Sequence, residues 1–251
     1  MRYLHIILLA VLVVSCKENS DPQDLTAHAI VDESIAISGG DKFGNSIISF
    51  NFRDKAYTAK RQNGKFSFLR QFKQASDSVT DILDNTGFNR MINDGFVIVE
   101  DSMAIKYTAS VNSVHYFSVL PFGLNDKAVN KIRLGDEQIK SKAYYKIKVT
   151  FSEAGGGEDF EDVFVYWVNQ ENFKVDYLAY SYNEDDGVGM RFREAYNERY
   201  VNGLRFVDYN NYKAQDPNIN VVKLAKAFNK NALQLVSKIE LEGVEVNLID
   251  N

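Results

Sequence analysis

The chain has 251 residues, 45% of them hydrophobic and 25% charged, enough for one large β domain or two small ones around a real core. Its formal charge is −5, its pI lies near 5.3, and no Lys/Arg block interrupts that balance, which argues against a nucleic-acid binder. One cysteine excludes a disulfide framework within the chain, and 17 Phe and 14 Tyr against one Trp, set in runs that alternate with polar residues, make a strand composition.

Arg2, the apolar run from Ile6 to Val14, Ser15 and Cys16 read as the basic start, apolar stretch and cut site of a secretory signal. With cysteine first in the mature chain, the segment resembles the lipobox of bacterial lipoproteins, whose thiol is diacylated before cleavage. That resemblance implies lipidation of Cys16 by acyl chains such as palmitate, membrane attachment, and a place in the outer membrane on its periplasmic or surface face. The apolar run is short of the about 20 residues a membrane span needs, whereas two or more acyl chains, at roughly 0.8 kcal/mol per buried CH₂, hold a protein stably. An ordinary cleaved signal beside a free cysteine, or an uncleaved anchor helix, is the alternative reading. Residues 1–15 are therefore expected to be signal peptide, 16–24 a polar tether containing Pro22, and 25–251 a single domain.

Leu25, His28, Ala29, Val31, Asp32, Ile35 and Ala36 follow a helical spacing that ends at Gly39-Gly40. The period then changes to two. Ile48, Phe50 and Phe52 alternate with polar residues, and Asn63-Gly64 separates two alternating runs, the strongest short signal for a hairpin. Val79 to Leu83, Phe88 to Ile92 and Phe96 to Val99 extend the meander. A helix is predicted from Asp101 or Ser102 through Val119, and a shorter one over Asp126 to Arg133. Strands return at Tyr144 to Phe151, Phe160 to Val168, Phe173 to Tyr182, Met190 to Tyr196 and Arg205 to Tyr212, followed by a helix over Ile219 to Asn229 and a closing strand from Leu233 to Glu240. The fold class is thus α+β: a large, curved antiparallel sheet, an unclosed barrel of about eleven strands, too wide to stay open and bare and so covered by a few helices.

Several segments carry a wider likeness: Gly39-Gly40-Asp41-Lys42, Val111 to Phe117, Phe164-Val165-Tyr166-Trp167, Met190 to Tyr196 and Asn202 to Tyr209. With them the chain resembles a family of uncharacterised exported bacterial lipoproteins, over nearly all of its mature length. Some members carry a deoxyribose-phosphate aldolase label. That chemistry requires a Schiff-base lysine in an α/β barrel of parallel strands, and the hairpins here argue against it. The order of helix and meander also resembles the LolA and LolB lipoprotein carriers, whose unclosed barrel is lidded by helices around an apolar cavity; this implies an acyl or lipid ligand and carries over no site residue.

Two histidines follow Cys16, His28 and His115, both on predicted helices and neither in a zinc-type spacing. They are the candidates for an enzyme, with a polar contact between helix and sheet as the plainer role. The acidic segment from Glu153 to Asp162 and the run Glu184-Asp185-Asp186-Gly187 have oxygen ligands for calcium but lack the EF-hand spacing, and read as solvated hairpin tips. No nucleotide loop or nucleophile elbow occurs, and no cofactor or metal is implied.

If Asn202-Gly203 is a hairpin turn, paired positions sum to 405, which places Arg191 and Arg193 on one face with Phe206, Asp208, Asn210 and Tyr212. Such a face suits an anionic head group bound by arginine, with Asp208 positioning it, or ordinary cross-strand ion pairing. Among the apolar strand positions, Phe52, Phe68, Tyr145 and Val149 are the candidates for the wall of a cavity; the same residues would equally fill a solid core. Three functions follow. The first is an outer-membrane-anchored lipoprotein that binds or carries a lipid or acyl chain without covalent attachment. The second is a protein-interaction module using Tyr180, Tyr182, Tyr209 and Tyr212 as contacts. The third is an envelope enzyme using His115 or His28.

Overall fold

The computed structural model describes residues 25–154, 160–184, 187–216 and 218–250. The expected signal peptide, the tether and Cys16 lie outside these residues, as do parts of both acidic loops.

The first helix, α1 (Ala27–Ser38), begins where Thr26 Oγ1 accepts from the Ala29 amide at 3.1 Å and stops at Gly39, whose φ is 131°. A Cβ at Gly39 would sit 2.5 Å from Leu204 Cδ2 and 3.0 Å from the Gly203 carbonyl. Glycine here satisfies both a left-handed backbone and a close approach to a hairpin. Gly39→Ala is therefore expected to cost roughly 1–3 kcal/mol, measured as a lower urea midpoint at unchanged slope.

Six strands follow as a meander: β1 (Ser46–Phe52), β2 (Lys55–Gln62), β3 (Lys65–Gln74), β4 (Asp77–Asp84), β5 (Gly87–Ile92) and β6 (Gly95–Val97). Asn63 and Gly64 both have positive φ, 53° and 73°, as the tight turn between β2 and β3 requires. The second helix, α2 (Asp101–Ser118), leaves this block. A second block comprises β7 (Val129–Ile139), β8 (Lys142–Phe151), β9 (Val163–Asn169), β10 (Val175–Glu184), β11 (Gly187–Val201) and β12 (Leu204–Ala214). A short helix, α3 (Leu224–Asn229), then precedes β13 (Leu233–Ile239) and β14 (Glu242–Leu248).

The described strands form two seven-stranded sheets, ordered β14-β1-β2-β3-β4-β5-β6 and β13-β12-β11-β10-β9-β8-β7. All their pairings are antiparallel. Only Glu240 and Leu241 separate β13 from β14, so the chain passes directly from one sheet into the other and the two make one folded surface. The outer strands β6 and β7 stay unpaired with each other, and the barrel is unclosed. α2 follows β6 and leads toward β7.

This is the expected architecture, with some elements changed. The residues predicted as a helix over Asp126 to Arg133 instead open β7, where burial alternates along Val129, Asn130, Lys131, Ile132 and Arg133. Charged residues at helix-like intervals disguised a period of two. β14 escaped prediction because Glu242, Gly243 and Glu245 dilute its alternating Val244, Val246 and Leu248. The helix expected over Ile219 to Asn229 shrinks to a 3₁₀ turn at Val221–Lys223 followed by α3.

The second sheet is buried on both faces. Phe164, Tyr166 and Val168 of β9 pack with Ile30 and Val31 of α1. On its other face Val165 and Trp167 pack with Phe192 and with Leu224 and Phe228 of α3. Such double coverage explains why β9 reads as a continuous apolar run. The first sheet packs Ala59, Phe68 and Leu83 against Val111 of α2. A further cluster, with Phe43, Phe50, Leu204, Phe206 and Val246, fills the corner where the sheets meet.

Candidate functional site

Between α2 and the concave face of the second sheet lies a cleft of about 610 Å³. Its roof comes from successive turns of α2, which present Ala109, Asn112, Ser113, Tyr116 and Phe117. This spacing puts them on one helical side. The floor is built by strand alternation: Phe164 from β9, Tyr180 and Tyr182 from β10, Arg191 and Arg193 from β11, Val207 and Tyr209 from β12, and Ile239 from β13. Phe52 and Arg53, at the turn after β1, contribute from the first sheet.

Eight aromatic side chains line the walls. Phe164 stacks on Tyr180 at a centroid distance of 5.4 Å and meets Phe151 edge-on at 5.6 Å, while Phe117 comes down to 5.3 Å from Tyr180. Offset and edge-on pairs of this kind hold one another in place. At the inner end the hydroxyls of Tyr116 and Tyr166 are 3.0 Å apart, and burial raises both phenols above their ordinary range, so they remain protonated at neutral pH.

The charge of the cleft is opposite in sign to that of the whole chain. Arg53, Arg191 and Arg193 line it against one carboxylate, Asp162, among the described residues. Arg193 is only 7% exposed. Its Nη2 donates to the Tyr180 hydroxyl at 2.8 Å, its guanidinium lies 3.9 Å over the Phe117 ring, and its Nε is buried with no hydrogen-bond partner. Arg191 donates from Nη1 to the Met190 carbonyl at 2.9 Å and lies over Tyr182.

The arginines reach the cleft because the β11–β12 register differs from the one the turn alone predicts. Asn202-Gly203 is the turn, and Arg199 pairs with Phe206, Tyr200 with Arg205 and Val201 with Leu204, all summing to 405. A bulge between Tyr196 and Arg199, with Asn197 at φ 51°, then lowers the sum to 404, so that Arg193 faces Asn211 and Tyr196 faces Asp208. One extra residue reverses which side chains share a face. Arg191 and Arg193 thus share theirs with Val207, Tyr209 and Asn211, and the expected partnership with Phe206, Asp208 and Tyr212 is overturned. Asp208 instead serves the corner between the sheets: it accepts from Asn197 Nδ2 at 2.6 Å, Arg199 Nη2 at 3.1 Å and the Leu241 amide at 3.0 Å.

Of the candidate wall residues, Phe52 lines the cleft. Tyr145 and Val149 face the same side of the sheet but fill the core beneath α1, and Phe68 packs in the first sheet against Val111. The strand residues Phe164 and Tyr180 of the wall carry no separate sequence signal, because core and cavity positions alternate alike along a strand.

His115 turns away from the cleft, toward the first sheet. It stacks on Phe68 at 4.6 Å, its Nε2 is 3.2 Å from the Leu69 carbonyl, and its Nδ1 is buried without a partner. Burial, aided by Arg61 and Arg70, pushes its pKa down to about 3, so the ring is neutral. His28 is exposed on α1, 3.6 Å from Asp32. Neither histidine lines the cleft. No group of three or more His, Cys, Asp or Glu among the described residues is placed to hold a metal ion. No helix among them is long and apolar enough to cross a membrane.

A family model matches residues 2–241. The chain belongs to DUF6503, a family of unknown function. No curated protein matches. Among solved structures, this DUF6503 chain is similar to a LolA superfamily protein from Nitrosomonas europaea, with 10% identity over 90% of this chain and 94% of that one and a TM-score of 0.50. It is also similar to a putative outer membrane lipoprotein-sorting protein domain from Vibrio parahaemolyticus, with 10% identity, 80% and 97% coverage and a TM-score of 0.40. At this identity the first likeness shows the fold alone, an unclosed antiparallel sheet of LolA type, and it agrees with the architecture that the sequence implied.

Proposed function

We propose that this protein binds or carries a hydrophobic ligand, a lipid or an acyl chain, non-covalently in the cleft beneath α2, as an outer-membrane lipoprotein held by acyl chains on Cys16. The observation that carries the reading is the cleft itself: an aromatic-lined cavity of about 610 Å³ between a helical roof and an unclosed sheet. Apolar concavities of this size, with a few convergent polar groups, are ordinary ligand sites. Each methylene removed from water there contributes about 0.8 kcal/mol. The lipobox-like start at Cys16 and the LolA-type fold support a place in the cell envelope.

The interaction-module reading loses its surface. Tyr180, Tyr182 and Tyr209 line the cleft, and Tyr212 packs with the cluster on the opposite face of the sheet, so the four tyrosines form no exposed patch.

Native mass spectrometry of the purified full-length protein from a lipid-containing host, followed by lipid analysis, tests the proposal. One co-purified amphiphile per chain is expected. Ala109→Trp, which adds an indole to the roof of the cleft, should abolish that adduct while leaving the unfolding temperature within a few degrees, since it adds no gap to the core. A wild-type protein that stays ligand-free in the presence of fatty acids and phospholipids would refute it.

A further inference from the structure

Resting on the reading of the cleft as a lipid site, we infer that its ligand is a single-chain amphiphile with a carboxylate head group, and that Arg193 is the residue that holds the carboxylate. A buried charge is costly unless it is paired, and proteins pair it. Two of the other buried arginines follow that rule: Arg70 shares Asp81 with Arg90, and Arg205 pairs with Glu198. Arg61, like Arg193, has a buried nitrogen without a partner and lies against aromatic rings, but it is outside the cleft.

Arg193 has no ion pair with a described carboxylate. Its Nη2 is on the Tyr180 hydroxyl, and its Nε is buried with no hydrogen-bond partner among the described residues. It lines a cleft in which the described residues leave an excess of two positive charges, in a chain whose formal net charge is −5. The missing partner is therefore an anion that enters from the cleft. A planar carboxylate matches a guanidinium through paired N–H···O bonds.

With about 610 Å³, the cleft has room for one acyl chain with its carboxylate. Polar side chains also line the cleft from α2, among them Asn112 and Ser113, while Phe151, Phe164, Val207 and Ile239 offer an apolar path beside the β11 arginines. A head group at Arg193 with its tail along these rings satisfies both surfaces.

The test titrates the purified full-length protein with dodecanoate, with dodecan-1-ol and with phosphatidylglycerol vesicles, reading stoichiometry by native mass spectrometry and affinity by calorimetry. One dodecanoate per chain is expected, bound tighter than the alcohol by on the order of tenfold to a hundredfold, the range of a hydrogen bond to a charged group. Arg193→Gln should bring the affinity for dodecanoate down to that for the alcohol. The ligand series on the unmodified protein decides the matter even if that variant folds poorly. Equal affinity for dodecanoate and dodecan-1-ol overturns the role of Arg193 and leaves the hydrophobic site standing. Preferential uptake of one phosphatidylglycerol per chain overturns the single-chain ligand. If none of the three binds, the lipid-site reading itself fails.

Discussion

Replacing Asp81 by alanine is expected to lower the folding free energy by about 3–5 kcal/mol, the cost of stripping one partner from a buried ionic group. Asp81 is fully buried on β4, and the antiparallel register sets it directly between Arg70 on β3 and Arg90 on β5. Arg70 donates to Oδ2 from Nε and Nη2 at 2.9 and 2.6 Å, and Arg90 donates to Oδ1 from Nε at 2.6 Å and to Oδ2 from Nη2 at 3.1 Å. Removing the carboxylate leaves two guanidinium groups facing each other in the sheet with no counter-charge.

The same arginines hold the roof of the cleft. Arg70 Nη1 donates to Ser110 Oγ at 2.6 Å, and the Arg90 guanidinium lies 3.8 Å over Tyr107, both on α2. Loss of Asp81 should thus loosen α2 as well as the sheet. Urea unfolding followed by circular dichroism reads the stability, and amide exchange along residues 104–115 reads the helix. Replacing all three residues by apolar side chains of similar volume should recover most of the loss, because no uncompensated charge then remains. A loss under about 1 kcal/mol for Asp81→Ala would mean that water reaches the triad, as it does for surface pairs.

Acid should begin to destabilise the protein through His115 before its carboxylates titrate. In the folded chain burial holds the ring neutral, with a pKa of about 3 against 6.5 for an ordinary histidine. The unfolded chain therefore takes up the proton first, and stability is complete above the unfolded value and falls as the pH drops from there toward the folded one. The slope is about 1.4 kcal/mol per pH unit, so roughly 2 kcal/mol should be lost between pH 7.5 and 5. His115→Phe keeps the stacking on Phe68 and removes the proton site.

The measurement is the difference in urea midpoint between wild type and this variant across that range. Asp126, whose carboxyl burial raises, titrates with the opposite sign, and comparing the two proteins cancels it. Parallel pH profiles for the two would show that His115 is hydrated in solution.

The meander and the helices α1 and α2 were legible because their signals are local. Asn63-Gly64 specifies a turn whatever surrounds it, and Thr26 and Gly39 mark the ends of α1 with one hydrogen bond and one positive φ. β7 was not legible, since its charged residues alternate only once its partner β8 defines an inside. The triad at Asp81 had a faint signature: Arg70, Asp81 and Arg90 fall opposite one another when the turns between their strands are counted. Nothing in the sequence says that the pairing is dry.

The cleft shows the division most clearly. Arginines and aromatics that alternate along β9 to β12 were visible in the sequence as strand residues with two faces, and that much the chain by itself determined, together with its acidic balance and antiparallel order. Which face Arg193 takes was decided by a bulge at Asn197, and a one-residue slip reverses every side chain beyond it. Which apolar residues line a cavity and which fill the core was decided by how the helices meet the sheet: α1 lies against Tyr145 and Val149 and closes that part, whereas α2 touches Phe164 and Tyr180 through Phe117 and leaves a cleft beside these contacts. Period and turn type are properties of a few neighbouring residues. Facing and closure depend on contacts between segments far apart in the chain, and no local pattern encodes them.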